Sequence, residues 1–182
     1  MKAYRIPALV GTVLLVGMVA AVGSAQPAGF NTPQQVLSRL DRLHKAGMEL
    51  GKLAQTNGSS PKVKAFAKQV AQFHRQGEQR VKAVAKKESI TLVEPMPIND
   101  RDRENMTAQN ATMNELRNLK GKEFDHQYLT TVIQGRENAL PILKQILPQV
   151  EDQKAKAVLS QVITQLEHQL DTAKKLLSTE TK

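Results

Sequence analysis

The chain has 182 residues, with 26 Lys and Arg against 17 Asp and Glu, a formal net charge of +9 and no Cys. That length suits one domain with short appendages. The missing Cys excludes disulfides, thiolate metal sites, a Cys nucleophile and a lipid-modified N-terminal Cys, and aromatics at 3% leave few rings for stacking on bases, so sequence-specific nucleic-acid binding is not expected.

Lys2 and Arg5 open the chain, an apolar run follows from Ile6 to Val22, and Gly23-Ser24-Ala25 closes it with small residues. This is the pattern of a secretory leader cleaved after Ala25, with an uncleaved anchor as the alternative. Setting Lys2 and Arg5 aside lowers the balance from +9 to +7. A basic surface draws anionic partners without choosing among them: lipid, polysaccharide or extracellular nucleic acid in an envelope. The cations also alternate with acids along the chain, as on a solvated surface of mixed charge.

Thr32-Pro33 supplies a capping hydroxyl and a first-turn proline. Val36, Leu40, Leu43, Gly47, Leu50 and Ala54 then mark one helical face. Asn57-Gly58 is read as a left-handed helix end. Ser60-Pro61 restarts a helix at once, with Val63, Ala67, Val70, His74, Gly77, Val81 and Val84 on its face. So short a turn predicts an antiparallel hairpin. Pro95 and Pro97 make residues 89–100 an extended connector. Asp100 to Lys120 is a polar helix with Met106, Met113, Leu116 and Leu119 on its apolar side, and Gly121 interrupts it. Phe124, Tyr128, Val132, Ala139, Leu143 and Ile146 mark the next helix, in which Pro141 should kink or locally break the bonding. A last helix begins near Glu151, with Leu159, Val162, Leu166, Leu170, Ala173 and Leu177 inward. No other stretch is apolar enough to cross a membrane.

These signals predict an all-α, four-helix bundle of ferritin-like connectivity: two antiparallel helical hairpins and a long crossover with an extra helix. The boundaries are a signal peptide at 1–25, a linker at 26–31, the bundle at 32–178 with its crossover at 89–120, and a tail at 179–182.

Dinuclear sites in such bundles use Glu-x-x-His pairs. Glu123-x-x-His126 has the spacing but points away from the apolar arc, and Asp41-x-x-His44 has the bare spacing with Asp in place of Glu. His74 lies mid-face, at about the height of His44 or Gly47 on the preceding helix. It reads as a core histidine bonded to a neighbour, with a metal ion held by His74 and His44 as the alternative. Asp125 and Arg136 both fall in their helix's apolar arc, about 16 Å apart, too far to pair directly. Arg136 needs another partner, reaches the surface, or binds an anion inside the bundle. Gln165 and Gln169 point inward and His168 outward. His74, Asp125, Arg136 and Gln169 therefore form the expected inward polar cluster. Lys82, Lys86 and Lys87 suit a helix C-terminus. No phosphate loop, His-Glu-x-x-His or Gly-x-Ser-x-Gly motif occurs, so no enzyme activity and no cofactor are expected.

Glu49-Leu50-Gly51-Lys52-Leu53-Ala54, Ser60-Pro61-Lys62-Val63-Lys64-Ala65-Phe66-Ala67 and His74 resemble the first hairpin of a bacterial ferritin-like domain of unknown function, often labelled a predicted outer membrane protein. Phe124 to Leu129 and Leu166 to Leu176 are similar to its second hairpin, so the resemblance runs from about Val36 to Leu177. It implies an exported protein, periplasmic or associated with the outer membrane, and an inward set of one acid and three histidines. Those positions fall here on Gly47, His74, Arg136 and Gln169, so a metal site of that kind is lost. The expected function is a non-catalytic binding or structural module with a basic surface and an anionic envelope component or a protein as partner. The alternative is a metal-binding protein with a reduced site at His74 and His44.

Overall fold

A computed structural model describes residues 32–149 and 153–180. The leader and linker read over 1–31 lie outside the described residues, as do residues 150–152 and 181–182. Five α-helices are described: α1 (Pro33–Asn57), α2 (Pro61–Lys87), α3 (Asp100–Asn118), α4 (Gly121–Ile146) and α5 (Gln153–Glu180), with a 3-10 turn at Leu147–Gln149 before the last. No strand occurs among the described residues, and no helix there is long and apolar enough to cross a membrane.

The start signals act as read. Thr32 Oγ1 accepts from Gln35 N at 3.2 Å, and Ser60 Oγ accepts from Val63 N at 3.4 Å, each just before a proline at the first helical position. The end of α1 differs from expectation. Gly58 is extended, at φ −69° and ψ 156°. Glycine is there for space: a Cβ would meet Asp125 Oδ1 at 2.6 Å and Ala54 O at 2.8 Å. The left-handed residues are Ser89, which follows α2, and Gly121, which opens α4 at φ 64°. The helix α4 continues through Pro141 to Ile146.

The hairpins α1–α2 and α4–α5 pack together, α1 against α4 and α2 against α5, while α3 rides outside on α1 and α4. Leu116 is the one fully buried apolar residue of α3. The connector is strapped along α1. Arg39 binds both carboxylate oxygens of Asp102, at 3.1 and 2.7 Å, and Met96 O. Val93 N donates to Ser38 Oγ at 3.0 Å, and Arg42 pairs with Glu94.

The buried apolar residues fall into three clusters. One, at the α1–α2 turn end, joins both hairpins through Ala54, Phe66, Val70, Phe124, Tyr128 and Ala173. The second belongs to the other end of α1 and α2, where Val36, Leu37, Leu40, Val81 and Ala85 meet Ile90 and Leu92 of the connector. The third lies between α4 and α5, around Leu140, Leu143, Leu159, Ile163 and Leu166. The face of α1 is rotated slightly from its expected setting: Leu37 and His44 are buried while Leu43 is 38% exposed.

Candidate functional site

Between these clusters the four bundle helices each contribute one polar residue: His44 from α1, His74 from α2, Arg136 from α4 and Gln169 from α5. Three of the four residues expected to cluster, His74, Arg136 and Gln169, do so, with His44 beside them.

The two imidazoles face each other, Nδ1 to Nδ1, at 3.2 Å. One Nδ1 must carry a proton and the other a lone pair for that contact to bond. Their planes meet at 60°, and Phe73 caps His74 edge-on at 5.4 Å between ring centres. Each ring lies over a glycine of the opposite helix. A Cβ on Gly47 would sit 2.3 Å from His74 Cδ2, and one on Gly77 would sit 2.2 Å from His44 Cε1. The ring of His74 thus fills the place where a side chain at position 47 would begin.

Burial drives the charge states. It pulls His44 down to about 4, against the opposing pull of Asp41 and Glu78 and with help from Arg80. It pulls His74 down to about 3, assisted by Arg136 and His44. Both rings are neutral at pH 7. Arg136 donates its Nε–H to Gln169 Oε1 at 2.9 Å, and burial lowers it to about 10, so it stays charged.

Gly47→Ala is expected to destabilise the fold by about 2 kcal/mol, because overpacking against a buried ring outweighs the roughly 1 kcal/mol gained in helix propensity. In a His74→Ala background the same change should stabilise instead. Urea titration of the four chains reads the cycle, and a Gly47→Ala chain as stable as wild type would mean the ring moves aside freely.

Asp125 stands apart from this layer. It lies in the first turns of α4 at the turn end of the bundle, 0% exposed. Its Oδ2 accepts from Ser59 N at 3.0 Å, Ser59 Oγ at 2.7 Å and Ser60 N at 2.8 Å, capping α2 from another hairpin. His126 and His168 are exposed, as expected, and so is Gln165, against expectation. No group of three or more His, Asp or Glu side chains able to hold a metal occurs among the described residues. Two imidazoles beside a guanidinium, with glycine at the acid position, do not fit a multi-ligand metal centre.

Two surface features complete the inventory. A groove of about 540 Å³ between α1, the connector and α3 is lined by Ser38, Asp41, Arg42, Lys45, Glu94 and Arg117 among others. Its charges are matched within the protein: Lys45 with Asp41, Arg42 with Glu94, Arg117 with Glu49. The second feature is missed by a balance taken over the whole chain. Helix α2 holds eight Lys and Arg and one acid, Glu78. Its excess of +7 equals that of the whole chain without Lys2 and Arg5. Lys64, Lys68, Arg75, Lys82 and Lys86 recur at steps of four and seven, which lines them up along about 33 Å of one side. Lys62, Arg80 and Lys87 follow the other edge, with exposed Gln69, Gln72, Gln76 and Gln79 between. Counting element by element would have found this in the sequence.

The fold recurs in solved structures. One is a DUF305 protein from Streptomyces coelicolor described as a candidate secreted protein: 14% identity, TM-score 0.64, covering 80% of this chain and 91% of that one. Another is a DUF305 fragment from Deinococcus radiodurans: 17% identity, TM-score 0.66, covering 81% of this chain and 97% of that one. At such identities the likeness concerns the fold. Among curated proteins none matches. A family model, described as Domain of unknown function (DUF4142), matches residues 19–176. That match spans the described bundle almost entirely, and the chain belongs to the DUF4142 family.

Proposed function

We propose that this chain is an exported, non-catalytic helical-bundle module that binds anionic polymers of the cell envelope through the exposed face of α2. The observation that carries the reading is the concentration of the chain's excess charge on that one helix. Of its cations only Lys82 makes an ion pair among the described residues, with Glu78 at 2.7 Å. The face suits a soluble polyanion better than a lipid surface, which would call for apolar anchors at the interface. The exposed large hydrophobics among the described residues, Leu43, Val93 and Met96, all lie off α2. Export is supported by the leader pattern at 1–25 and by the secreted description of one structural relative. The ferritin-like reading is supported by the two hairpins and the long crossover between them.

The test uses dextran sulfate, with neutral dextran as control. Binding should weaken steeply with salt. The triple variant Lys68→Glu, Arg75→Glu, Lys86→Glu should lose affinity by about tenfold or more. Its melting temperature should stay within about 5 °C of wild type, because all three residues are exposed and only Lys86 stands at a helix end. A triple variant of equal charge change elsewhere, Lys52→Glu, Lys122→Glu, Lys175→Glu, should keep most of the binding. Equal losses in both would reduce the effect to net charge and overturn the assignment to α2. A metal reading of the same molecule is favoured by the Nδ1 contact of His44 and His74. One equivalent of metal in the purified protein, absent from a His74→Ala chain, would replace the present proposal with that one.

A further inference from the structure

Arg136 is a half-buried cation whose Nη2 is fully buried and whose hydrogen-bond partner is neutral. Its Nε–H can only donate, so the Gln169 atom facing it must be Oε1, and Nε2 of the same amide is left as a donor. That Nε2 is buried without an acceptor among the described residues, and so is Arg136 Nη2. The two unsatisfied N–H groups therefore flank one contact. Gln169 is 2% exposed, so solvent does not serve it. Tyr128 is 0% exposed and its Oη is a third buried atom without a partner. It lies two turns before Arg136 on α4, the direction in which a helical side chain leans. The guanidinium charge reaches the phenol and His74.

The acids near this layer are engaged elsewhere. Glu137 turns outward to Lys174, Asp41 holds Lys45, and Asp125 is bound to Ser59 and Ser60 at the turn end. A half-buried charge without a counter-charge is unfavourable, and the two buried donors left unsatisfied, Arg136 Nη2 and Gln169 Nε2, add to that. A water molecule would accept the hydrogen bonds and leave the charge. A small anion answers both needs with one atom. We propose that Arg136 Nη2 and Gln169 Nε2 bind one monovalent anion of halide type inside the bundle, with Tyr128 Oη as the next donor along α4.

The test has two arms on the full protein. In crystals grown in sodium bromide, an anomalous peak is expected within hydrogen-bonding distance of Arg136 Nη2 and Gln169 Nε2. In solution, replacing gluconate with chloride at constant ionic strength should raise Tm by about 3 °C, since gluconate is too bulky to enter. That rise should vanish in Arg136→Met, which keeps the side-chain length and drops the charge. Should Arg136→Met fail to fold, the bromide map of the wild type decides alone. A peak without anomalous signal at this position, or a chloride response that Arg136→Met retains, overturns the proposal.

Discussion

Lowering the pH from neutrality to about 3 is expected to remove on the order of 3 kcal/mol of stability for each of His44 and His74. The sign follows from their depressed values in the fold, about 4 and about 3, against 6.5 in an unfolded chain. Above 6.5 both states hold the rings neutral and the pair contributes its full stability. As pH falls below 6.5 the unfolded chain takes up protons that the folded chain refuses, and stability drains until the folded values are reached. Burial is the main cause for both rings. Around His44, Asp41 and Glu78 soften the effect and Arg80 strengthens it. Around His74, Arg136 and the partner ring strengthen it. The Nδ1 contact adds a steric reason, since protonating the accepting ring would set one N–H against another. Urea titrations from pH 7 to 3 on the wild type and on a His44→Asn, His74→Asn chain isolate the pair, because both carry the same carboxylates. Identical pH slopes for the two proteins would refute the account.

The next largest effect is expected at Asp125. Its Oδ2 accepts three hydrogen bonds from Ser59 and Ser60, two of them from backbone amides at the positive end of α2. Charge-assisted bonds of this kind contribute about 1.5–3 kcal/mol each when measured singly, and less than the sum together. Asp125→Ala should therefore cost about 4 kcal/mol, and Asp125→Asn, which keeps an accepting oxygen, roughly half of that. Ser59→Ala, which removes the hydroxyl alone, should cost about 1.5 kcal/mol. Equilibrium denaturation of the three variants gives the ranking. A cost for Asp125→Ala no greater than that for Ser59→Ala would mean that the cap does not tie the hairpins together.

The parts of this fold legible in the sequence were those set by neighbours along the chain. Thr32-Pro33 and Ser60-Pro61 start helices through contacts three residues long. The inward settings of His74, Arg136, Gln169 and Asp125 followed from periodicity. Their partners did not, because Arg136 meets Gln169 across 33 positions and Asp125 meets Ser60 across 65. Periodicity fixes direction but not which element arrives there. The same gap explains Gly58, whose surroundings come from α4, and Leu43, which a slight rotation of α1 turns outward in favour of His44. Pro141 lies within α4, which continues to Ile146, and having no N–H it leaves out the bond to Glu137 O, the local break in bonding that its position implies.

The division of the core has a consequence for cooperativity. At the turn end one cluster holds both hairpins, whereas at the opposite end α1, α2 and the connector close over a small cluster of their own and the α4–α5 cluster takes only Phe73 from α2. The two ends need not open together. The far end of α1 and α2, with its strapped connector, can fray as a local unit while the shared cluster persists. The basic stripe of α2 crosses that divide, from Lys64 beside the shared cluster to Lys86 beside the smaller one. A long anion laid along it would splint the fraying unit to the persistent one, so that occupancy is registered as slower local opening rather than as a change of shape.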